Sequence, residues 1–258
     1  FQQAREQQVD LLLFPEMTLT GFARDVGQML PYQEEIFALF QQWTSQHQVP
    51  AAFGYACALT EAERAANPQA KPAYNRLCLM EDGVVRLTYD KIHPFSRGFE
   101  GGNYEPGNTL GYTQFHGWGI GAFLCYDLRF PAFFSLLGEA CQLILLPANW
   151  PDFRIDAWET LACARALENQ CYVAAVNRVG QDEKSFYSGH SAVFDPFGKR
   201  LTPISQREEL LIADLELDRV DQNRSKIPQL QDRREVLFLQ LLQARQHQEP
   251  SQRTDSPL

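Results

Sequence analysis

One continuous stretch decides the fold and contains the most informative cysteine of the chain: Gly119-Ile120-Gly121-Ala122-Phe123-Leu124-Cys125-Tyr126-Asp127-Leu128-Arg129-Phe130-Pro131. Its first six residues are typical of a buried strand, and Pro131 suits the first turn of a helix. Cys125 is therefore expected at the elbow between the strand and the helix. The free N–H groups and the dipole at a helix start favour a thiolate, so the position predicts a nucleophile.

The other five cysteines illustrate the alternative, in which Cys125 is buried filling without a chemical role. They lie inside or next to predicted strands and helices: Cys57, Cys78, Cys141, Cys163 and Cys171. None has the C-x-x-C spacing or the nearby histidine pair of a zinc site, so we expect no metal. Since the chain has a full core and no secretory signal pattern, we expect reduced thiols and a cytoplasmic location.

Composition narrows the class of protein. The chain has 258 residues, of which 45% are hydrophobic, enough for one substantial core. A formal net charge of −9 argues against nucleic acid and anionic membrane surfaces as partners. No apolar run approaches the ~20 residues that span a bilayer. We expect a single domain over residues 1–245 and a polar, disordered tail over residues 246–258.

Alternating strand and helix patterns predict an α/β fold. The predicted strands are Val9–Phe14, Ala51–Leu59, Tyr74–Met80, Val84–Tyr89, Gly119–Cys125, Leu143–Pro147, Tyr172–Asn177, Ser191–Asp195 and Leu210–Leu215. Helical patterns cover Glu34–His47, Pro131–Cys141, Ile155–Asn169 and Val236–Leu242. Buried strands that alternate with helices indicate sheet covered by helices, and short hairpin turns such as Glu81-Asp82-Gly83 make the sheet mixed.

Three polar residues directly follow predicted strands: Glu16, Lys91 and Cys125. In α/β proteins the functional crevice lies beyond the carboxyl ends of the strands, so these side chains could converge there. A thiol nucleophile, a carboxylate base and a cation for an oxyanion are the groups that acyl transfer requires. Each has an ordinary alternative: Glu16 as a helix cap, Lys91 as a surface lysine, and Arg129 as an ion-pair partner of Asp127.

Four segments resemble the nitrilase (carbon–nitrogen hydrolase) superfamily: Leu13-Phe14-Pro15-Glu16, Tyr89-Asp90-Lys91-Ile92-His93, Cys125-Tyr126-Asp127-Leu128-Arg129-Phe130-Pro131 and Tyr187-Ser188-Gly189-His190-Ser191. The likeness runs from about Val9 to Arg224 and is closest to ω-amidases, with support from residues 147–151 and 165–170. It implies a four-layer α-β-β-α sandwich with two mixed sheets, often dimeric. The first strand of that fold is expected to be missing from this chain.

The resemblance also implies a role for each strand-end residue. Glu16 is implied as the general base that takes the thiol proton. Cys125 is implied as the nucleophile that forms a thioester and releases ammonia. Lys91 is implied to stabilise the tetrahedral oxyanion, helped by the backbone N–H of Tyr126. No metal or organic cofactor is implied.

Further residues are implied around this centre. A second glutamate is expected in the loop after the lysine, and Glu100 is chosen over Glu105 because Glu105 abuts the Pro-Gly turn that ends the loop. Arg129 lies four residues after Cys125, so one helical turn could bring it beside the nucleophile. In ω-amidases the residue at this place is expected to hold the substrate carboxylate, with Trp150 closing the pocket.

The implied function is hydrolysis of the ω-amide of a small dicarboxylic keto-acid monoamide, such as α-ketoglutaramate, to acid and ammonia. Two alternatives with the same chemistry stay open, an N-carbamoyl amine hydrolase and an aliphatic amidase, and only pocket residues separate them from an ω-amidase. A third alternative is a non-catalytic binding member, against which the intact set of Glu16, Lys91 and Cys125 argues. The expected partners are a small amide substrate and a second copy of the chain in a homodimer.

Overall fold

A computed structural model describes residues 1–98 and 100–248. The strands are β1 Leu12–Leu13, β2 Ala51–Ala58, β3 Ala73–Glu81, β4 Val84–Asp90, β5 Gly111–Phe115, β6 Trp118–Ala122, β7 Leu143–Ala148, β8 Tyr172–Asn177, β9 Val179–Gln181, β10 Phe186–Ser188 and β11 Ala192–Phe194. The helices are α1 Gln2–Glu6, α2 Gln33–His47, α3 Glu61–Ala66, α4 Glu100–Asn103, α5 Pro131–Ser135, α6 Ile155–Asn169, α7 Leu217–Lys226 and α8 Glu235–Gln248. No helix in the described ranges combines the length and apolar character needed to cross a membrane.

The strands form two mixed sheets and one small hairpin. The first sheet has the order β1-β2-β3-β4, with β1 parallel to β2 and the other neighbours antiparallel. The second has the order β11-β8-β7-β6-β5, with a parallel centre of β6, β7 and β8 flanked by antiparallel β5 and β11. Strands β9 and β10 form the hairpin.

The two sheets pack face to face, and each has helices on its outer face. On the outer face of the first sheet, Phe40 of α2 stacks on Phe53 of β2, with ring centroids 3.6 Å apart. On the outer face of the second, the fully buried Trp158 of α6 joins a core that also holds Leu79 of β3 and Leu145 of β7. Strand β7 is buried along its whole length because both of its faces are covered. The predicted four-layer α-β-β-α sandwich is confirmed.

The strand predicted over Leu210–Leu215 was wrong, because this segment has no hydrogen-bonding strand beside it among the described residues. A cavity of about 880 Å³ lies between it and β1, lined by side chains that include Leu11, Leu143 and Leu145. The strand predicted over Val9–Phe14 is shortened to β1 at the same cavity, since β1 pairs on one side only, with β2. A segment with an apolar, extended sequence pattern forms a β-strand only where a neighbouring strand supplies partners for its backbone hydrogen bonds.

Helix predictions failed mainly at their ends. The helix predicted over Pro131–Cys141 stops after Ser135, and Gly138 follows with a φ of +59°, a conformation that favours glycine. Helix α7 was not predicted from the sequence, although its Val220 is fully buried. At the other end of the chain α8 continues to Gln248, so it includes the first three residues of the predicted tail, whose remainder, 249–258, lies outside the described residues.

Candidate active site

Chain direction brings the strand-end residues to one crevice. Strands β1 and β4 run the same way in the first sheet, so Glu16 and Lys91 follow their carboxyl ends at one edge. Strands β6 and β7 are parallel in the second sheet, so Cys125 and Asn149 follow theirs. Because the two sheets pack face to face, all four residues meet where these ends adjoin, and the Asn149 N–H donates to Glu16 Oε2 at 3.0 Å.

Cys125 lies on a strained elbow between β6 and a short 3₁₀ turn, Cys125–Arg129. Its φ is +43°, a conformation that costs a non-glycine residue about 1 kcal/mol or more. Asp127 offsets this cost by accepting a hydrogen bond at 3.0 Å from the N–H of Leu124, just before the nucleophile position. The elbow presents the Cys125 thiol to the crevice while its backbone is anchored.

Asp127 is the centre of the clamp that anchors the elbow. It is fully buried and accepts hydrogen bonds from the Tyr89 hydroxyl at 2.7 Å and from the His93 backbone N–H at 2.9 Å. The His93 ring nitrogen Nδ1 lies 2.8 Å from the same carboxylate, and the ring stacks on Phe130 at 3.7 Å. The alternative in which Asp127 pairs with Arg129 is therefore wrong, because the carboxylate is fully engaged elsewhere.

A buried cluster of charges faces the elbow. Lys91 Nζ donates to Glu16 Oε1 at 2.8 Å and to the Glu100 oxygens Oε1 and Oε2 at 2.8 and 2.9 Å. Lys91 and Glu16 are each 1% exposed, and Glu100 is also buried. Buried charges are tolerated only when they are paired and hydrogen-bonded, as these are. The arrangement excludes both ordinary alternatives, a surface lysine and an exposed capping glutamate.

Asn75 is a polar partner that the sequence analysis missed. It lies in β3, is fully buried, and its Nδ2 donates to Glu16 Oε1 at 2.7 Å and to Glu100 Oε1 at 2.9 Å. An asparagine within an apolar strand was the available signal, because such a side chain needs buried partners. Asn75 therefore holds the two carboxylates at a fixed separation around Lys91.

The two candidate glutamates of the loop have different surroundings. Glu100 begins α4 and turns its carboxylate to Lys91, while its Oε2 also accepts the Phe95 N–H at 3.0 Å. Glu105 is only partly buried, and its carboxylate accepts the backbone N–H of Lys71 at 2.9 Å. Of the two, Glu100 is the one that the fold brings to the cluster.

Electrostatics make the neutral thiol the resting form of Cys125. Burial raises the pKa of the Cys125 thiol well above its usual range, the Glu16 charge adds to this, and Lys91 opposes it. The expectation that the helix start favours a thiolate was wrong, because burial and the nearby carboxylates outweigh two short helical turns. Burial also raises the pKa of Glu16, which Lys91 partly offsets. Burial alone would lower the pKa of Lys91, but Glu100 and Glu16 hold it well above its usual range.

Aromatic rings and one arginine form the mouth of the crevice. The Arg129 guanidinium carbon lies 4.8 Å from the ring centroid of Trp150, which is buried. The Tyr126 ring packs edge-on against Phe95 at 4.9 Å. Arg129 is exposed, and within the described ranges no carboxylate forms an ion pair with it. Of the three predicted substrate-binding residues, Arg129 and Trp150 are in contact, and Tyr126 directly follows the nucleophile position.

The donor set at this site does not match a metal centre. A lysine occupies the middle of the carboxylates, and its cation takes the place that a metal ion would need. Across residues 1–98 and 100–248, no group of three or more His, Cys, Asp and Glu side chains is arranged to hold a metal ion.

Comparison with known proteins identifies the family of the chain. A family model described as carbon–nitrogen hydrolase matches residues 1–225. The chain belongs to the carbon–nitrogen hydrolase family. The family predicted from the four sequence segments is confirmed.

Known relatives of this carbon–nitrogen hydrolase include amidases. It is 34% identical over 235 residues to Omega-amidase YafV of Yersinia enterocolitica, which covers 90% of the chain and 88% of that relative. It is 28% identical to the 2-oxoglutaramate amidase of Bacillus subtilis (strain 168), over 92% of the chain and 90% of the relative. The solved structure of XC1258 from Xanthomonas campestris, a CN-hydrolase superfamily protein with an arsenic adduct in its active site, matches with a TM-score of 0.78 and 29% identity over 90% of this chain and 88% of that one.

Proposed function

We propose that this hydrolase removes the ω-amide of a small keto-acid monoamide, such as α-ketoglutaramate, through a thioester on Cys125. The observation that carries the proposal is the pairing of two features in one crevice. The half-buried Cys125 thiol lies beside the Glu16–Lys91–Glu100 cluster, and Arg129, which has no ion pair with a carboxylate of the described residues, lies at the mouth. The names of the ω-amidase and 2-oxoglutaramate amidase relatives support this class of substrate.

The first step moves a proton within the site. The thiol proton of Cys125 goes to Glu16, which suits a pair whose pKa values are both raised, because the transfer creates no additional charge. The sulfur then bonds to the amide carbon, and the carbonyl electron pair moves to oxygen. That oxyanion accepts hydrogen bonds from Lys91 and from the backbone N–H of Tyr126.

The second step releases ammonia and the third restores the enzyme. Protonated Glu16 gives its proton to the amide nitrogen, the C–N bond breaks, and an acyl thioester remains on Cys125. Glu16 next takes a proton from water as the water oxygen attacks the thioester. The C–S bond breaks, the carboxylic acid leaves, and the sulfur regains the proton from Glu16. One amide and one water have become one acid and one ammonia.

Glu100 acts in this proposal on the position of Lys91 rather than on substrate atoms. An ammonium group has three N–H donors, and the two oxygens of one carboxylate can both accept a hydrogen bond from the same N–H. Glu16 and Glu100 therefore leave one donor of Lys91 free for the oxyanion. With both carboxylates ionised, the cluster carries one net negative charge, which keeps the lysine protonated.

Arg129 is proposed to hold the substrate carboxylate, with Trp150 and Tyr126 as the apolar walls. A guanidinium matches a carboxylate with two parallel hydrogen bonds, which the ammonium of a lysine cannot reproduce. Trp150 orients the cation from one side, so it is positioned before the substrate arrives. An aliphatic amidase has no need for such a cation, and this is the difference that the test below uses.

The test is a comparison of substrates on wild type and the Arg129→Lys variant. We expect wild type to prefer α-ketoglutaramate over a neutral amide of the same length and over an N-carbamoyl amine, as measured by ammonia release. The Arg129→Lys change should raise KM about tenfold for α-ketoglutaramate and much less for the neutral amide. Equal losses on both substrates, or a wild-type preference for the neutral or carbamoyl compound, would overturn the assignment.

We also propose a homodimer or higher homo-oligomer in the cytoplasm. Apolar side chains on α8 that are more than half exposed support self-association: Val236, Phe238, Leu239 and Leu241. All six cysteines are free thiols, which supports a reducing compartment. Sedimentation of the protein and of a Phe238→Glu variant tests the first part, and a wild-type monomer at micromolar concentration would contradict it.

A further inference from the structure

A second arginine lies at the mouth of the crevice without an acidic partner. Arg154 ends the short 3₁₀ turn Asp152–Arg154 that follows β7. Its guanidinium carbon lies 4.9 Å from the Phe153 ring centroid and 5.7 Å from that of Phe95. The side chain is exposed, and among the described residues no carboxylate pairs with it.

Trp150 ties this second arginine to the first. The indole Nε1 of Trp150 donates to the backbone oxygen of Arg154 at 2.8 Å, and the same ring system carries the guanidinium of Arg129 at 4.8 Å. One buried tryptophan therefore contacts the guanidinium of Arg129 and the backbone of Arg154. A substitution of either arginine is expected to shift the other, because both residues contact Trp150.

Phe95 ties Arg154 to the reacting groups. The ring beneath the guanidinium packs on Tyr126, the residue after the nucleophile, with centroids 4.9 Å apart. The backbone N–H of Phe95 donates to Glu100 at 3.0 Å. Arg154 consequently lies one side chain away from both the elbow and the charged cluster.

The aromatic surroundings of these two arginines differ from those of the arginines that bind carboxylates. Acidic residues outnumber Lys and Arg by 32 to 23. Some guanidinium groups of the described chain pair with carboxylates, as Arg76 does with Asp90 at 2.7 Å and Arg200 with Glu159 at 2.8 Å, and others bond to backbone carbonyl oxygens, as Arg224 does to Cys141. Contact with an aromatic ring holds an exposed cation weakly, whereas a carboxylate binds it by strong, charge-assisted hydrogen bonds. Two such cations at one mouth are thus poised for an anion that arrives from solution.

We propose that Arg154 is a second anion-recognition residue. Its guanidinium moves away from the rings of Phe95 and Phe153 and binds the distal end of the substrate. A bidentate contact with Arg129 uses two of the roughly four lone-pair positions of a carboxylate. Arg154 takes the remaining positions together with an adjacent keto oxygen. The substrate class is therefore amides whose far end is an α-keto carboxylate, and this inference rests on the proposed function.

The experiment compares Arg154→Gln with Arg154→Lys and with a matched control, Arg86→Gln. Arg86 is exposed and lies in the half of β4 remote from Lys91, so its loss removes one positive charge away from the crevice. Substrates are α-ketoglutaramate, its analogue 4-carbamoylbutanoate without the keto oxygen, and the neutral pentanamide. Thermal unfolding of each variant shows whether the fold is intact.

We expect Arg154→Gln to raise KM for α-ketoglutaramate about tenfold at low ionic strength, with kcat little changed. The rise should be smaller for 4-carbamoylbutanoate and smallest for pentanamide. Arg154→Lys should recover part of the loss, since the charge returns without the planar fork. The difference between wild type and Arg154→Gln should shrink as salt is added, because the contact is exposed.

The result that overturns the inference is distinct from the one that overturns the proposed function. If Arg154→Gln matches Arg86→Gln on every substrate, or loses equally on all three, Arg154 recognises no anion. If wild type itself prefers pentanamide, the proposed function fails, whatever Arg154 does. In that case the ratio of KM for 4-carbamoylbutanoate to KM for pentanamide still decides the inference, because only an anion contact changes this ratio in the Arg154→Gln variant.

Discussion

The bottom of the crevice and its mouth are built on opposite principles. At the bottom, the Lys91 ammonium group donates hydrogen bonds to the carboxylates of Glu16 and Glu100, and all three residues are buried. At the mouth, Arg129 and Arg154 are exposed and rest on aromatic rings only. The bottom of the crevice is suited to a reaction that is common to many amides, because the positions of its groups are set before any substrate binds. The open part can choose among amides, because its cations are still unpaired.

The largest effect is expected at the bottom, from Cys125→Ala. Without the sulfur no thioester can form, so kcat should fall by at least about 10⁴-fold, while the fold stays intact because only one atom is removed. The matched control is Cys163→Ala, whose thiol is half-buried and bonds to the Gly198 carbonyl away from the crevice. Intact mass with a slow substrate should show an acyl adduct on wild type and on the control. An acyl adduct on the Cys125→Ala protein would show that Cys125 is not the nucleophile.

A second test removes the cation of the dense region. Lys91→Met keeps the length and removes an oxyanion donor, which is expected to lower kcat by about 10²–10³-fold. It also leaves Glu16 and Glu100 as adjacent buried carboxylates, so stability should fall as well. Lys199→Met, at an exposed lysine, is the control for both readings. Near wild-type kcat in the Lys91 variant would contradict its role, whatever the denaturation midpoint shows.

The two loop glutamates provide a matched pair for a third test. Glu100→Gln removes a carboxylate that holds Lys91 in place, and we expect a loss of about 10- to 100-fold in kcat. Glu105→Gln changes a carboxylate that accepts a hydrogen bond from the backbone N–H of Lys71, away from the cluster, so kcat should stay within about twofold. Saturating substrate is used, so that the result reports on chemistry and not on binding. A larger loss in the Glu105 variant would reverse the choice.

The pH dependence of kcat/KM gives the smallest and most specific signal. Glu16 must be ionised to take the thiol proton, and its pKa is raised by burial. Activity should therefore fall on the acidic side at a pH above the ordinary glutamate value of about 4.3, and stay flat well into the alkaline range because Lys91 remains protonated. Stopped assays across buffers of constant ionic strength measure it. An acidic limb at or below 4.3 would show that the base is not buried Glu16.

The residues that directly follow strands were predicted from the sequence pattern, whereas Asn75 at the bottom of the crevice and Arg154 at its mouth were not. Glu16, Lys91 and Cys125 each follow an apolar run, and the position of a residue after a strand is local information that survives without coordinates. Glu100 required the family resemblance, because loop residues follow no periodic pattern. The family and the four-layer fold were likewise predicted from short segments that keep their spacing in the chain.

Other features depend on what lies nearby in space. Nothing local shows that Asn75 bridges two carboxylates 59 and 25 residues away, or that Arg154 shares a tryptophan with Arg129. The strand predicted over Leu210–Leu215 failed for the same reason, since its pattern was correct and its hydrogen-bonding neighbour was not there among the described residues. The pKa of Cys125 also depends on three charges from distant parts of the chain.

The neutral resting state of Cys125 has a practical consequence for its reactivity towards oxidants and alkylating reagents. Oxidants and simple alkylating reagents attack thiolates, so a thiol whose pKa is raised is a poor target while the crevice is empty. Reactivity is released only when a ligand offers a carbonyl to the sulfur as the proton moves to Glu16. A covalent inhibitor for this site therefore gains more from an electrophile shaped like an amide, with an anionic tail, than from intrinsic reactivity.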